Sequence, residues 1–343
     1  MQIQSKEKRS MESTIVMLLQ FLPFLLILWL ANMAEDRRYP EAPRLGRGFA
    51  VAGFLLLGLI HGGLILSGLL VNLLSLMPVK TMEPDINFGL LGIAMWAPSL
   101  VGLLFFIPSM RRQVARLIPI DPENPVHTVA LSMSTLIVFE LLTILGIGLE
   151  NIAAIEDEPV SISDLWTQDI AMLLTGLIGV GWLSRRKMGE SLARLGIVKP
   201  SVREVALGMG IGLVLVVLAL GLEYIASFFG ILVDPDVEKL TEQLLGSLYK
   251  TIPGILTLGF AAAIGEETVF RGALQPRFGL LLTSLLFALM HSNYGFSLST
   301  LIVFLVGLAL GVVRMRFNTS TAMVVHATYN ITLGVLANVF PDF

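Results

Sequence analysis

The chain is a succession of long apolar runs broken by short polar loops. A helix that crosses a bilayer needs ~20 mostly apolar residues, and about ten segments meet that criterion. They lie near residues 14–34, 49–77, 88–108, 126–149, 165–183, 203–229, 252–275, 279–293, 297–315 and 320–340. The pattern predicts an all-α fold, a polytopic membrane bundle of about ten transmembrane helices. The eighth segment is short, so a tilted or protein-buried helix is expected there. Pro23, Pro98 and Pro253 fall inside or near these runs, where neighbouring side chains and local adjustments satisfy the freed carbonyls.

The loops alternate in charge. Residues 35–48 carry Arg37, Arg38, Arg44 and Arg47, and residues 109–125 carry Arg111, Arg112 and Arg116. Residues 184–202 carry Arg185, Arg186, Lys187, Arg194 and Lys199, and Arg314 and Arg316 flank the ninth segment. The intervening loops are poor in cations: Glu150 to Glu158 has none, and 231–251 has only Lys239 and Lys250. The positive-inside rule then puts the odd-numbered loops in the cytoplasm and the C-terminus outside. Lys6, Lys8 and Arg9 draw the N-terminus inward as well, so the first segment conflicts with strict alternation. Its charged start and apolar run resemble a signal peptide. The run is long for one, however, and no small-residue cleavage site follows, so an uncleaved anchor is expected.

Composition sharpens this. Charged residues are 14% of the chain and hydrophobic ones 55%, with a mean hydropathy of +0.81. Soluble domains carry ~25% charged residues, so an integral membrane protein is expected. The net charge of −3, with no basic run interleaved with aromatics, argues against a nucleic-acid partner. Cysteine is absent, which removes disulfides, thiolate metal sites and cysteine nucleophiles. No tandem repeat or low-complexity tract is visible. The chain divides by polarity instead: residues 1–200 form N-terminal transmembrane helices of unassigned role, and residues 201–343 hold a cluster of intramembrane polar groups.

That cluster starts with Glu266, Glu267 and Arg271, three ionisable side chains inside one apolar run. Each costs at least ~2.5–3.5 kcal/mol at the bilayer centre. Positions four apart share a helix face, so Glu267 and Arg271 can pair, while Glu266, rotated by ~100°, points elsewhere. A carboxylate in low dielectric with no cation of its own is a stronger base than one in water, which suits a general base. His291 stands four residues after Phe287, and His326 four before Asn330. Imidazole and carboxamide N–H groups on one face suit a developing oxyanion. At 1.5 Å per residue, Glu266, His291 and His326 lie ~21, ~18 and ~9 Å along their segments, between the midplane and the cytoplasmic half of a ~30 Å core. Structural readings stand beside these. The charges can form an ion-pair network that locks helix packing, the histidines can be satisfied core residues, and Asn330 can be interhelical glue.

Glu-Glu-x-x-x-Arg (266–271), Phe-x-x-x-His (287–291) and His-x-x-x-Asn (326–330) occur in this order on successive apolar segments, with Phe270 before the arginine and Gly272 after it. The ordered set resembles the CPBP family, the type II CAAX prenyl endopeptidases with their bacteriocin-processing and self-immunity relatives. The resemblance covers roughly residues 250–340. It implies an intramembrane endopeptidase, in the plasma membrane of a bacterium, acting on a membrane-associated or prenylated polypeptide. Glu266 and His291 would activate water, His326 and Asn330 would stabilise the oxyanion, and Glu267, Arg271 and Phe287 would support the site. The bilayer and a peptide or protein substrate, lipidated or not, are the expected partners. No cofactor is expected. Zinc is the main alternative, since Glu and His are also zinc ligands, but there is no His-Glu-x-x-His, and Arg271 would repel a cation beside Glu267.

Two other functions fit the same residues: a non-catalytic scaffold or self-immunity protein, and a proton-coupled transporter, which the lack of an inverted repeat disfavours. Outside the cluster, His61, beside Gly62 and Gly63, is expected to mark close helix packing, and His127, after Pro125, a helix end. Glu140 and Glu223 are intramembrane acids without a partner at helical spacing. Gly208, Gly210 and Gly212 read as small residues at a helix contact.

Overall fold

A computed structural model of the protein describes residues 2–35, 43–76, 86–155 and 159–340. Arg37, Arg38 and the acidic residues 156–158 lie outside the described residues, as do the side chains of Lys6, Lys8, Arg9 and Arg44. The described residues form helices without a strand. In chain order these are α1 (Gln2–Ala34), α2 (Pro43–Ser75), α3 (Phe88–Leu104), α4 (Pro108–Val114), α5 (Pro125–Ile147), α6 (Leu149–Ile155) and α7 (Ile162–Gly179). There follow α8 (Met188–Leu195), α9 (Val202–Phe228), α10 (Pro235–Tyr249) and α11 (Ile252–Glu267). A π-helical turn (Thr268–Leu274) leads into α12 (Gln275–Met290), and a 3₁₀ turn (Ser292–Tyr294) into α13 (Leu298–Arg316) and α14 (Thr319–Val339).

The helix starts are written in local chemistry. Ser201 Oγ accepts from the Glu204 N–H at 3.2 Å while Glu204 Oε2 accepts from the Ser201 N–H at 2.7 Å, a reciprocal cap; Ser161 and Asp164 repeat it at α7. Asn124 caps α5 with Pro125 in the first turn, and Thr251 caps α11 with Pro253 there. His127 sits in the first turn of α5, its Nδ1 accepting from the Asp121 N–H at 2.9 Å.

Long apolar helices make this an integral membrane protein. Among the described residues seven are long and apolar enough to cross a bilayer, or eight if α3 and α4, bent by 92°, form one span. The sequence suggested about ten, and two differences account for the count. Segments seven and eight are one apolar stretch, Ile252–Met290, kinked at Gly279 where φ is 76°. The fifth segment is α7, whose first half carries Asp164, Gln168 and Asp169 and is too polar to qualify.

Helices α2, α3 and α5 pack together, α1 joins α2 and α7, and α11 lies between α7 and α14. Contacts between α7 and α11 advance in the same direction on both: Trp166 Nε1 donates to Thr257 Oγ1 at 3.2 Å, Asp169 meets Gly265, and Gly176 meets Thr268. The two helices therefore run parallel. Their C-terminal ends bring the 184–187 loop and Arg277 to one end of the bundle. Helix α14 runs antiparallel to α11, with Gly334 against Ile255 and Gly259 against Ile331.

The close contacts use small residues, as expected without a hydrophobic drive between helices in lipid. A Cβ on Gly208 would stand 2.8 Å from Val324, and one on Gly212 2.8 Å from the Val325 carbonyl on α14. Gly210, expected to share that contact, faces open space. His61 is fully buried and reaches Ser132 Oγ at 3.0 Å. The glycine that makes room for its ring is Gly102, at 2.6 Å, while Gly62 and Gly63 have nothing beside them. A large side chain at Gly212 must push α9 from α14. Gly212→Leu is expected to destabilise the protein by ~1–3 kcal/mol, lowering its melting temperature in detergent, whereas Gly210→Leu leaves it unchanged.

Candidate active site

The last residues of α11 are Gly265, Glu266 and Glu267, and the backbone then widens into the π turn that carries Arg271. Such turns are rare, appear mostly within α-helices and concentrate at functional sites. Thr268 Oγ1 donates to the Ile264 carbonyl at 2.6 Å across the junction.

Glu267 and Arg271 are enclosed, at 0% and 1% exposure, and their side chains approach to 3.3 Å, the pairing that the four-residue spacing predicts. Arg271 Nη2 also donates to the Gly307 carbonyl at 3.2 Å, and one turn on Gln275 Nε2 donates to the Gly311 carbonyl at 2.9 Å. Two polar side chains four apart thus meet the carbonyls of two α13 glycines four apart. Phe287 closes the pair from below. The Arg271 guanidinium lies 4.1 Å from its ring centroid, a cation–π contact in a dry setting, and the rings of Phe270, His291 and His326 stand edge-on to it at 5.3, 5.0 and 6.0 Å.

Glu266 behaves differently from its neighbour. It lies on the wall of a cavity of about 1230 Å³, together with His291, His326, Asn330 and Tyr294. Glu267 and Arg271 do not line that cavity. The Oε2 of each glutamate is buried without a hydrogen-bond partner, but that of Glu267 lies 3.3 Å from Arg271 Nε. His326 reaches both glutamates, with Nδ1 3.0 Å from Glu267 Oε1 and Nε2 3.9 Å from Glu266 Oε2. The sequence pairs His326 with Asn330 as two free donors. In the structure one His326 nitrogen is committed to Glu267 and the other is turned to Glu266, because α14 crosses α11 at this point. Asn330 Nδ2 donates to the Leu258 carbonyl at 3.1 Å, an interhelical tie, while the residue also lines the cavity.

His291 ends α12. Its Nδ1 is 2.9 Å from the Phe287 carbonyl; since a carbonyl only accepts, Nδ1 carries the hydrogen and Nε2 of the neutral ring holds a lone pair. Its ring stacks on Tyr294 at 5.9 Å. Burial raises the hydroxyl pKa values of Tyr294 and Tyr249, two of the phenols that line the cavity, so these two stay neutral at physiological pH. Glu140 also lines the cavity and Glu223 does not. The cavity's rim includes Arg185, Arg186, Arg194 and Arg277.

One cavity-lining acid has no signal in the sequence: Asp169 on α7, 3% exposed. Asp164, the other acid of α7, serves the helix cap, and the neighbours of Asp169 come from α11 and α14. Among the described residues no three His, Asp or Glu side chains are arranged to hold a metal ion. The His326 nitrogens face carboxylates, and Glu267 is already shared between His326 and Arg271.

Residues 249–332 match the family model of the Rce1-like type II CAAX prenyl endopeptidases. No curated protein and no solved structure matches the chain. The matched region runs from the end of α10 into α14 and contains all three motifs, on the elements that converge at Phe287 and the cavity. Over residues 249–332, a quarter of the chain, the protein is thus similar to the Rce1-like type II CAAX prenyl endopeptidases.

Proposed function

We propose that the protein is an intramembrane endopeptidase that hydrolyses a peptide bond of a membrane-associated or prenylated polypeptide. The observation that carries this reading is the division of labour between adjacent glutamates. Glu267 is enclosed off the cavity and paired with Arg271 and His326, whereas Glu266 lies on the wall of a cavity large enough for a peptide segment. A structural ion-pair network has no use for the second.

In this mechanism Glu266 accepts a proton from water as the water oxygen bonds to the scissile carbonyl carbon and the carbonyl π pair moves to oxygen. The His291 Nε2 lone pair accepts the second hydrogen bond of that water. The oxyanion is met by the Asn330 carboxamide and by His326, which Glu267 holds in place. As the C–N bond breaks, the proton on Glu266 passes to the leaving nitrogen, giving an acid and an amine. No step in this mechanism uses a metal. Arginines on the cavity rim favour the cytoplasmic side for that end, and a bacterial plasma membrane is the proposed setting.

Three measurements test this. Glu266→Gln and His291→Ala should each lower peptide cleavage by purified protein ~10²–10⁴-fold, the usual effect of removing a general base. Wild-type rates in both variants would refute the assignment, and a cellular phenotype that survives Glu266→Gln would favour a binding role. Stability should separate the glutamates. Glu267→Ala strands Arg271 in a dry site and should cost ~3–5 kcal/mol, seen as lost melting temperature and yield, while Glu266→Ala should melt close to wild type. Cleavage should also survive EDTA and 1,10-phenanthroline; stoichiometric zinc whose removal abolishes cleavage and whose return restores it would overturn the metal-free mechanism alone.

A further inference from the structure

Four arginines line one end of the cavity: Arg185 and Arg186 from the loop after α7, Arg194 from α8 and Arg277 from the start of α12. A small apolar cluster gathers these elements, with Leu177, Val180 and Leu195 packed against Trp182, Leu192 and Ala273. The backbone makes room for the cations. Gly181 has φ 106°, and a Cβ there would stand 2.8 Å from Arg185 Nε and 3.0 Å from Arg186 Nη1, so both side chains converge on one point. Gly196, with φ 70°, does the same for a fifth cation: a Cβ there would stand 2.8 Å from Arg314 Nη2. Arg185 Nε donates to Asn32 Oδ1 at 2.9 Å, and Arg186 Nη1 donates to the Val180 carbonyl. Arg194 and Arg277 make no hydrogen bond or ion pair among the described residues. Of the acids, Asp121 lines this end of the cavity, and Glu35 accepts from Asn124 beside it at 3.0 Å. Burial, and then the charges of Arg277, Arg186, Arg314 and Arg185, lower the Arg194 pKa. Like charges brought together out of bulk water repel, and an anion between them relieves that cost.

The wall that leads away from the arginines is apolar. Asn32 Nδ2 donates to the Ile178 and Gly179 carbonyls at 2.9 and 3.1 Å, tying α1 to the arginine loop. One turn back along α1, Leu28 Cδ1 would stand 4.0 Å from a Cβ on Gly179, and Phe24, Phe21 and Met17 continue the lining. From Met17 to Leu28 this wall runs ~16 Å at 1.5 Å per residue, on the scale of an acyl chain. An occupant that fits is anionic at one end and apolar along the other. We propose that this end of the cavity binds an anionic phospholipid, its phosphate among Arg186, Arg194 and Arg277 and an acyl chain along α1. Guanidinium groups meet phosphate oxygens in pairs, and basic pockets between membrane helices on the cytoplasmic side take up such headgroups. Arginines that merely snorkel reach outward to the bilayer surface, whereas these line the interior. The site needs no peptidase chemistry and stands or falls apart from it.

The probes are phosphatidylglycerol and phosphatidylcholine with the same acyl chains, added to delipidated full-length protein in detergent. Bound lipid is counted by native mass spectrometry, and the melting temperature is followed in parallel. Wild type should hold phosphatidylglycerol in preference to phosphatidylcholine. Arg194→Gln/Arg277→Gln should weaken phosphatidylglycerol about tenfold, the scale of two arginines beside a headgroup. Arg116→Gln/Arg316→Gln removes the same charge from exposed positions off the cavity and should leave binding unchanged. Should the first pair fail to fold, the exposed Arg277 alone, as Arg277→Gln, should give a smaller loss in the same direction. Equal losses from the two double variants, or no preference over phosphatidylcholine, overturn the proposal. Stabilisation by inorganic phosphate equal to that by phosphatidylglycerol assigns the arginines to a free anion instead. Displacement of the lipid by a peptide with a free C-terminal carboxylate, and not by its amide, assigns them to a peptide end; either result overturns the lipid site.

Discussion

Glu267 is enclosed on all sides, and whatever answers its charge must come from the protein itself. Arg271 and His326 both do, from the π turn and from α14. Such an arrangement is poor value as a stabiliser. Replacing a buried ion pair by well-packed apolar residues is often neutral or better by ~1–4 kcal/mol. What the charges supply is direction. Apolar side chains would let α14 slide or rotate against α11, whereas a carboxylate shared between a guanidinium and an imidazole accepts a narrow range of positions. The orientation of His326, the seating of Phe287 under Arg271 and the outward turn of Glu266 all follow from that one enclosed anion.

The backbone is shaped to the same end. In an unbroken α-helix, adjacent glutamates diverge and the turn after them continues at the same pitch. Here the helix widens immediately after Glu267, and Arg271 and Gln275 descend on the glycine carbonyls of α13. Those carbonyls are within reach because Gly307 and Gly311 have no side chain in the way: a Cβ at 307 would stand 3.1 Å from Phe287, and one at 311 3.1 Å from Gln275 Oε1. Wide turn, bare glycine face and cation form one construction.

Much of this was legible in the sequence because charge in an apolar run is rare and therefore conspicuous. Glu266, Glu267, Arg271, His291 and His326 announce themselves, and helical spacing gives the Glu267–Arg271 pair directly. What spacing within a helix cannot give is contact between helices. His326 was paired with its own helix neighbour Asn330, while its real partners sit on α11, fixed by how two helices cross. Asp169 escaped for the same reason, being one acid in the polar first half of α7, with its significance set by Gly265 far along the chain. The approximate count of ten came down where segments seven and eight proved one stretch kinked at Gly279 and where α7 proved too polar in its first half.

The parallel contact of α7 with α11 has a consequence for how the protein is partitioned. Trp166, Asp169 and Gly176 engage Thr257, Gly265 and Thr268 along three turns of helix, so the back wall of the glutamate site is built by a helix outside residues 249–332. Kinship and architecture thus draw different outlines on this chain. The matched segment carries Glu266, Glu267, Arg271, His291 and His326, yet one flank of its Gly265 is covered by α7. The preceding helices are less an appendage to the matched segment than one side of its enclosure.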